Sequence, residues 1–141
     1  MSLTDGPVFP YRGLMIDTAR NFIPIGSLER MLDGMSHNKL NVLHWHITDS
    51  NSFPFYSTSF PQMTDYGAYS KDEIYFPEQV KELIQYALVR GVKIIPELDA
   101  PAHAGNGWQW GEDKGFGKLA LCVNEEPFNK RCGQVNIQIK L

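Results

Sequence analysis

The sequence predicts an α/β chain built on a parallel sheet, and three observations predict it. Three short apolar segments, Gly13–Arg20, Leu40–Asp49 and Val92–His103, each end in charged, chemically capable residues. Helical patterns separate them, so the order strand, helix, strand, helix, strand calls for right-handed crossovers and parallel strands. Parallel strands bring all three carboxylate-bearing ends to one edge, where folds of this class build their sites. Three such ends in succession argue for a polar pocket.

The first strand is the run Gly13-Leu14-Met15-Ile16-Asp17, which leads into Arg20. A helix is predicted next, from about Pro24 to His37, because Ile25, Leu28, Leu32 and Met35 recur at three- and four-residue steps and form one apolar face. Pro24 suits its start, while His37 and Asn38 suit its end. Gly34 inside it costs about 1 kcal/mol relative to alanine, so tertiary packing is expected to hold the segment. The second strand follows, ending in His44-Trp45-His46-Ile47-Thr48-Asp49.

Between Asp49 and Phe76 runs a long connection crowded with aromatic residues, among them Phe53, Phe55, Tyr56, Phe60, Tyr66, Tyr69 and Tyr75. Connections of this length are uncommon and often functional. Most of these rings are expected to pack the loop itself, and a substrate wall would explain why so long a loop sits at the carboxyl edge. The second helix opens at Pro77, carries the stripe Val80, Leu83, Ile84, Ala87 and Leu88, and ends at Gly91. Phe76 stands where a capping hydroxyl or carboxylate would serve better, a deficit of about 1 kcal/mol. The third strand begins at once, at Val92. Beyond His103, glycines at 105, 107, 111, 115 and 117 predict an irregular loop bearing Trp108 and Trp110. Val135 to Leu141 alternates like a strand, but one further strand cannot close a barrel. The elements therefore read as part of something larger.

The totals exclude several classes. With 141 residues the chain has one core, and a net charge of −3 gives no electrostatic reason for a nucleic acid or an anionic membrane as partner. There is no apolar run long enough to span a bilayer, and the start shows no secretion signal. Cys122 and Cys132 would close one small loop in an oxidising compartment or stay thiols in a reducing one; spacing alone leaves both open.

His44 and His46 lie two apart, so on a strand they face the same way. With Asp49 or His103 they would make a zinc site. Alternatively, one imidazole is a hydrogen-bonded core residue and the other lines a pocket, which the lack of a helical histidine pair or cysteine cluster favours. In Pro96-Glu97-Leu98-Asp99-Ala100-Pro101-Ala102-His103, the two carboxylates alternate with apolar residues and a histidine follows two prolines. Such a histidine keeps a fixed tautomer and tunes a neighbouring acid, or the same residues form a hydrogen-bonded plug. Asp72-Glu73 is an adjacent carboxylate pair, but it lies in a polar turn ahead of a helix, where solvated charge is the expected role.

Taken together, Tyr11–Arg20, Asn38–Asp49 and Pro96–His103 resemble successive blocks of the β-N-acetylhexosaminidases of glycoside hydrolase family twenty. The wording is most similar to the insect enzymes that trim chitin oligosaccharides and N-glycans, and the similarity runs from about Phe9 to Gln134. It implies a partial (β/α)8 TIM barrel, about its first three strands and two to three helices, not closed. It also implies a substrate-assisted, retaining mechanism, an exception to the two-carboxylate scheme.

By that resemblance, Arg20 grips hydroxyls of a terminal N-acetylhexosamine, and Asp49 and His103 form a relay toward the acid glutamate. Trp108 falls where the family places an aromatic near the pocket, and Asp17, His46, Glu97 and Asp99 are expected as supporting groups. No cofactor or metal is implied. The partner is an N-acetylglucosamine-containing oligosaccharide, the setting is secreted or lysosomal, and any homo-oligomer belongs to a full-length enzyme. The family's catalytic Asp-Glu pair has no matching block here. The chain is thus expected to be the amino-terminal part of the catalytic barrel, residues 9–134, with a tail at 135–141 unlike the family, and to be inactive alone. Two competing readings are a truncated product that binds sugar or a partner without catalysis, and a metal-dependent hydrolase using His44, His46 and Asp49.

Overall fold

A computed structural model of the chain describes residues 2–123 and 133–138. Its centre is a three-stranded parallel sheet in the order β1 (Gly13–Asp17), β2 (Val42–Thr48), β3 (Lys93–Leu98). Helix α1 (Ile25–His37) joins the first pair and α3 (Pro77–Leu88) enters the second, as the alternation of apolar runs and helical stripes predicts. Three parallel strands with their helices make a partial α/β unit, and no closed barrel forms among the described residues.

The two faces of β2 separate the core from the site. Leu43, Trp45 and Ile47 face the helices and are fully buried with Leu28, Leu32 and Met35 of α1 and Leu83 and Ala87 of α3. The alternate residues His44, His46 and Thr48 face the other way, as the two-residue period of a strand requires. Register sets Met15, His44 and Ile95 in one row across the sheet, and Asp17, His46 and Glu97 in the next. Pro96 is tolerated because the Lys93 N–H bonds to Asn41 O at 2.9 Å. Alternation then turns the nitrogen of Pro96 toward the unpaired edge of β3, where no ladder bond is lost.

Several elements differ from expectation. The aromatic connection contains a short helix, α2 (Gln62–Gly67), entered from Pro61. Tyr75, expected to pack within that loop, is instead fully buried in the main core, with ring centroids 4.7 Å from Phe22 and 4.9 Å from Trp45. Its hydroxyl donates to Ile23 O at 2.6 Å and accepts from Ile23 N at 3.2 Å, so the buried oxygen is satisfied on both sides. Leu88, placed on the apolar stripe of α3, is exposed, because it lies about 100° round the helix from Ala87, which with Leu83 is the buried side of α3. The poor cap at Phe76 is partly remedied by Gln79, whose Oε1 accepts from the Phe76 N–H at 3.0 Å.

The glycine-rich segment holds a second short helix, α4 (Trp110–Asp113), and a two-stranded antiparallel ribbon, β4 (Ala120–Leu121) with β5 (Gln134–Val135). Of the strand expected from Val135 to Leu141, the described residues hold only Val135 in β5, and residues 136–138 are not strand. Asn136 stays beside β4, its N–H bonded to Leu119 O at 2.8 Å, and the chain turns after it, with Gln138 N–H bonding back to the Asn136 side chain. Residues 139–141 and Cys132 lie outside the described residues, and so does any pairing of Cys122 with Cys132. None of the described helices is long and apolar enough to cross a membrane.

Candidate active site

The three strand ends converge as the parallel order requires, and the hub is Asp49. Its side chain is 2% exposed at the end of β2. Oδ2 is ion-paired with Arg20 Nη2 at 2.7 Å and lies 2.9 Å from His46 Nε2. Oδ1 accepts the Ser50 N–H at 2.6 Å, and His103 Nδ1 stands 3.1 Å from both oxygens. Both oxygens of this buried carboxylate thus have charged or hydrogen-bonding partners, which offset the cost of its burial.

Arg20 bridges the first two strand ends. Its Nη1 donates to Asp17 Oδ2 at 2.6 Å, while Nη2 reaches Asp49. Asp17 Oδ1 also accepts the N–H groups of Ala19 and Arg20, closing a tight turn that aims the arginine at the site. Burial is the largest single influence on Asp17 and works against its charge. The Arg20 side chain and the two backbone donors outweigh it and lower the pKa. For Arg20 the bond to Asp17 leads and raises the pKa. With its side chain 43% exposed, the guanidinium keeps donors beyond the two used here for a polyhydroxyl ligand.

The third strand supplies Glu97, whose oxygens divide between the two histidines of β2. Oε1 lies 2.9 Å from His46 Nδ1, and Oε2 pairs with His44 Nε2. Burial is again the largest influence on Glu97, but the bonds from His46 and His44 outweigh it and lower the pKa. In His46 burial favours the neutral ring, yet the bonds to Asp49 and Glu97 prevail and raise the pKa.

This geometry disfavours the donor set His44, His46 and Asp49 as a metal site. His44 turns to Glu97 rather than Asp49, and both ring nitrogens of His46 are held by carboxylates. The compact trio is instead His46, Asp49 and Asp99, with its histidine engaged on both nitrogens. Of the two alternatives for the histidine pair, His46 is the buried, hydrogen-bonded ring and His44 is the half-exposed one.

Asp99 follows β3, its N–H held by Thr48 Oγ1 at 3.1 Å. Beside it an apolar cavity of about 380 Å³ is lined by Leu98, Phe53, Phe55, Phe60, Trp108 and Trp110, among others. The aromatic loop and the tryptophans thus form one wall next to the polar cluster. Phe53 and Trp110 are buried; Phe60 is half exposed. Asp72 and Glu73 lie in a surface turn, with Glu73 accepting from Ser70 Oγ at 2.9 Å. Three supports have no signal in residue spacing. Ser52 Oγ donates to Ala19 O at 2.7 Å, Tyr69 OH bonds to the carbonyls of Ala19 and Arg20, and Thr18 Oγ1 accepts from Trp45 Nε1 at 2.9 Å. Together they pin the turn that carries Arg20 against the end of β2.

The catalytic domain of glycosyl hydrolase family 20 matches residues 9–140. This chain belongs to that family. A probable beta-hexosaminidase of Drosophila melanogaster is 48% identical over 130 residues, covering 92% of this chain and 20% of the relative. A chitooligosaccharidolytic beta-N-acetylglucosaminidase of Bombyx mori is 46% identical, covering 96% of this chain and 23% of its own length. Among solved structures, a family 20 exo-beta-N-acetylglucosaminidase from Vibrio harveyi, in complex with N-acetylglucosamine, superposes with a TM-score of 0.76 at 29% identity. That likeness covers 96% of this chain and 24% of the bacterial one. The chain therefore spans about a fifth to a quarter of the length of these family 20 relatives.

Proposed function

We propose that this family 20 chain is part of the catalytic barrel of an exo-acting β-N-acetylhexosaminidase. The protein carrying it hydrolyses terminal, non-reducing N-acetylhexosamine from chitin oligosaccharides or N-glycans, in a secreted or lysosomal setting. The observation that carries the reading is the convergence of Arg20 and His103 on buried Asp49 at the carboxyl edge.

Arg20 grips sugar hydroxyls with the guanidinium donors that Asp17 and Asp49 leave over. Asp49 holds His103, which passes hydrogen bonding toward a general acid, and Trp108 lines the pocket wall. The substrate's own acetamido oxygen attacks the anomeric carbon, so the protein needs an acid for the departing oxygen and a group that orients the acetamide. Within the 141 residues the sole Asp-Glu dipeptide is Asp72-Glu73, and its glutamate pairs with Ser70 rather than with Arg20, Asp49 or His103. General acid catalysis is worth about 10²–10⁴-fold. The chain alone accordingly binds the sugar and does not turn it over.

The test combines equilibrium binding of N-acetylglucosamine with hydrolysis of a chromogenic N-acetylglucosaminide. Saturable binding lost in Arg20→Ala, with no turnover by the pure chain, is the expected result. Sustained turnover abolished by Arg20→Ala would overturn the inactivity of the chain alone. Absence of both binding and turnover in the natural protein that carries the chain would overturn the hexosaminidase reading. Binding without turnover in that natural protein would instead make it a non-catalytic sugar binder.

A further inference from the structure

His46 is 7% exposed, and each of its ring nitrogens faces a carboxylate oxygen at 2.9 Å, Asp49 Oδ2 at Nε2 and Glu97 Oε1 at Nδ1. An ionised carboxylate only accepts, and a neutral imidazole has one N–H to give. The neutral ring would therefore set one lone pair against an anion, in a place where little water can intervene. A doubly protonated ring satisfies both contacts.

The surrounding charges favour the same state. Asp17 occupies the register position beside His46 on β1, and Asp99 approaches from the end of β3. With Asp49 and Glu97 they make an acidic enclosure. The facing cations are Arg20, shared between Asp17 and Asp49, with His44 on Glu97 and His103 on Asp49 as titratable neighbours. The raised pKa of His46 agrees with this balance.

We propose that His46 is a positioning residue, held as an imidazolium between Glu97 and Asp49, which fixes the Asp49 carboxylate and through it the tautomer of His103. Its role deepens the hexosaminidase reading and rests on it. With His46 and Arg20 on Oδ2 and the Ser50 N–H on Oδ1, the Asp49 carboxylate is held as an acceptor in one orientation. His103 must then donate through Nδ1, which leaves Nε2 as the basic nitrogen open to a second partner. Glu97 acts one step further out, by keeping the proton on His46 Nδ1.

The experiment is side-chain nitrogen spectroscopy on the full chain labelled with ¹⁵N-histidine. Near neutral pH, His46 is expected to show two protonated nitrogens and His103 the Nδ1–H tautomer. His46→Gln should move His103 toward the Nε2–H form that free histidine favours, a change that mere loosening of the core does not specify. Glu97→Gln preserves shape and removes only charge; it should lower the pH at which His46 loses its proton by about one unit or more, and it carries the test if His46→Gln does not fold. A neutral His46 at neutral pH, an unmoved His46 titration in Glu97→Gln, or an unchanged His103 tautomer in folded His46→Gln each overturns the proposal. These signals need no sugar. If N-acetylglucosamine fails to bind while they appear as expected, the hexosaminidase reading falls and the positioning geometry stands.

Discussion

Arg20 Nη2 lies 2.7 Å from Asp49 Oδ2, although the two residues belong to different strand ends and the arginine side chain is 43% exposed while the aspartate is 2% exposed. A half-open cation thus neutralises a closed anion. The arrangement gives Arg20 two duties, holding the polar cluster together and presenting free donors to solvent or sugar.

Arg20→Lys separates these duties. An ammonium can pair with Asp17 or Asp49, but it lacks the planar fork that spans both and still reaches a ligand. The affinity for N-acetylglucosamine is expected to fall about tenfold or more, near the value of one charge-assisted hydrogen bond, while thermal stability changes little. Isothermal titration beside a melting curve checks both halves.

Stability should be limited on two sides of the pH scale by the same row of residues. His46 has a raised folded pKa, so its contribution is fully present below the ordinary histidine value of 6.5 and is lost as pH rises through the folded value. Glu97 and Asp17 have lowered pKa values, so theirs is present above 4.5 and 3.8 and is lost as pH falls through the folded values. Melting temperatures measured from about pH 3 to about pH 9 should therefore peak between these limits. Glu97→Gln should soften the fall on both flanks, because it removes one titrating group and weakens the hold on the other.

Tyr75→Phe tests the packed side of the sheet. The ring is fully buried between Phe22 and Trp45, and its hydroxyl satisfies both the N–H and the C=O of Ile23. Removing the oxygen leaves both backbone groups without that partner, at a cost of about 1–3 kcal/mol. The urea midpoint should drop with an unchanged slope. A midpoint equal to that of the unsubstituted chain would mean that water replaces the hydroxyl.

The alternation of strands and helices was legible because each element announces itself locally, by apolar runs in β1, β2 and β3 and by stripes in α1 and α3. That Asp49 and His103 lie at one edge was legible too, since parallel order sends both there, while their pairing was implied only by the family resemblance. Less legible was what each polar group does on arrival. His44 and His46 share a face, but that both reach Glu97 depends on the register between β2 and β3, and only His46 also meets Asp49. Helix α2 escaped because six residues make too short a stripe, and Tyr75 because nothing near it in sequence shows that Phe22 and Trp45 will close around it.

The glycines carry a similar lesson, which leads to a prediction about the apolar wall. Gly67 ends α2 and its carbonyl accepts the Phe53 N–H at 2.8 Å. A Cβ placed on it would sit 2.6 Å from Phe53 Cβ and 2.9 Å from Gly107 Cα, so the close approach of three backbone segments requires a residue without a side chain. Gly107 meets Phe53 from the other side at φ +92°, a conformation that residues with a Cβ rarely adopt. Gly67→Ala should therefore push Phe53 away from the loop bearing Trp108, costing about 1–3 kcal/mol through overpacking. The salt links of Arg20 and His103 to Asp49 lie outside this contact and should persist. Tryptophan fluorescence should report the altered wall, while the His103 nitrogen signals stay in place. A chain in which both change together would mean that the wall and the charge cluster form one cooperative unit.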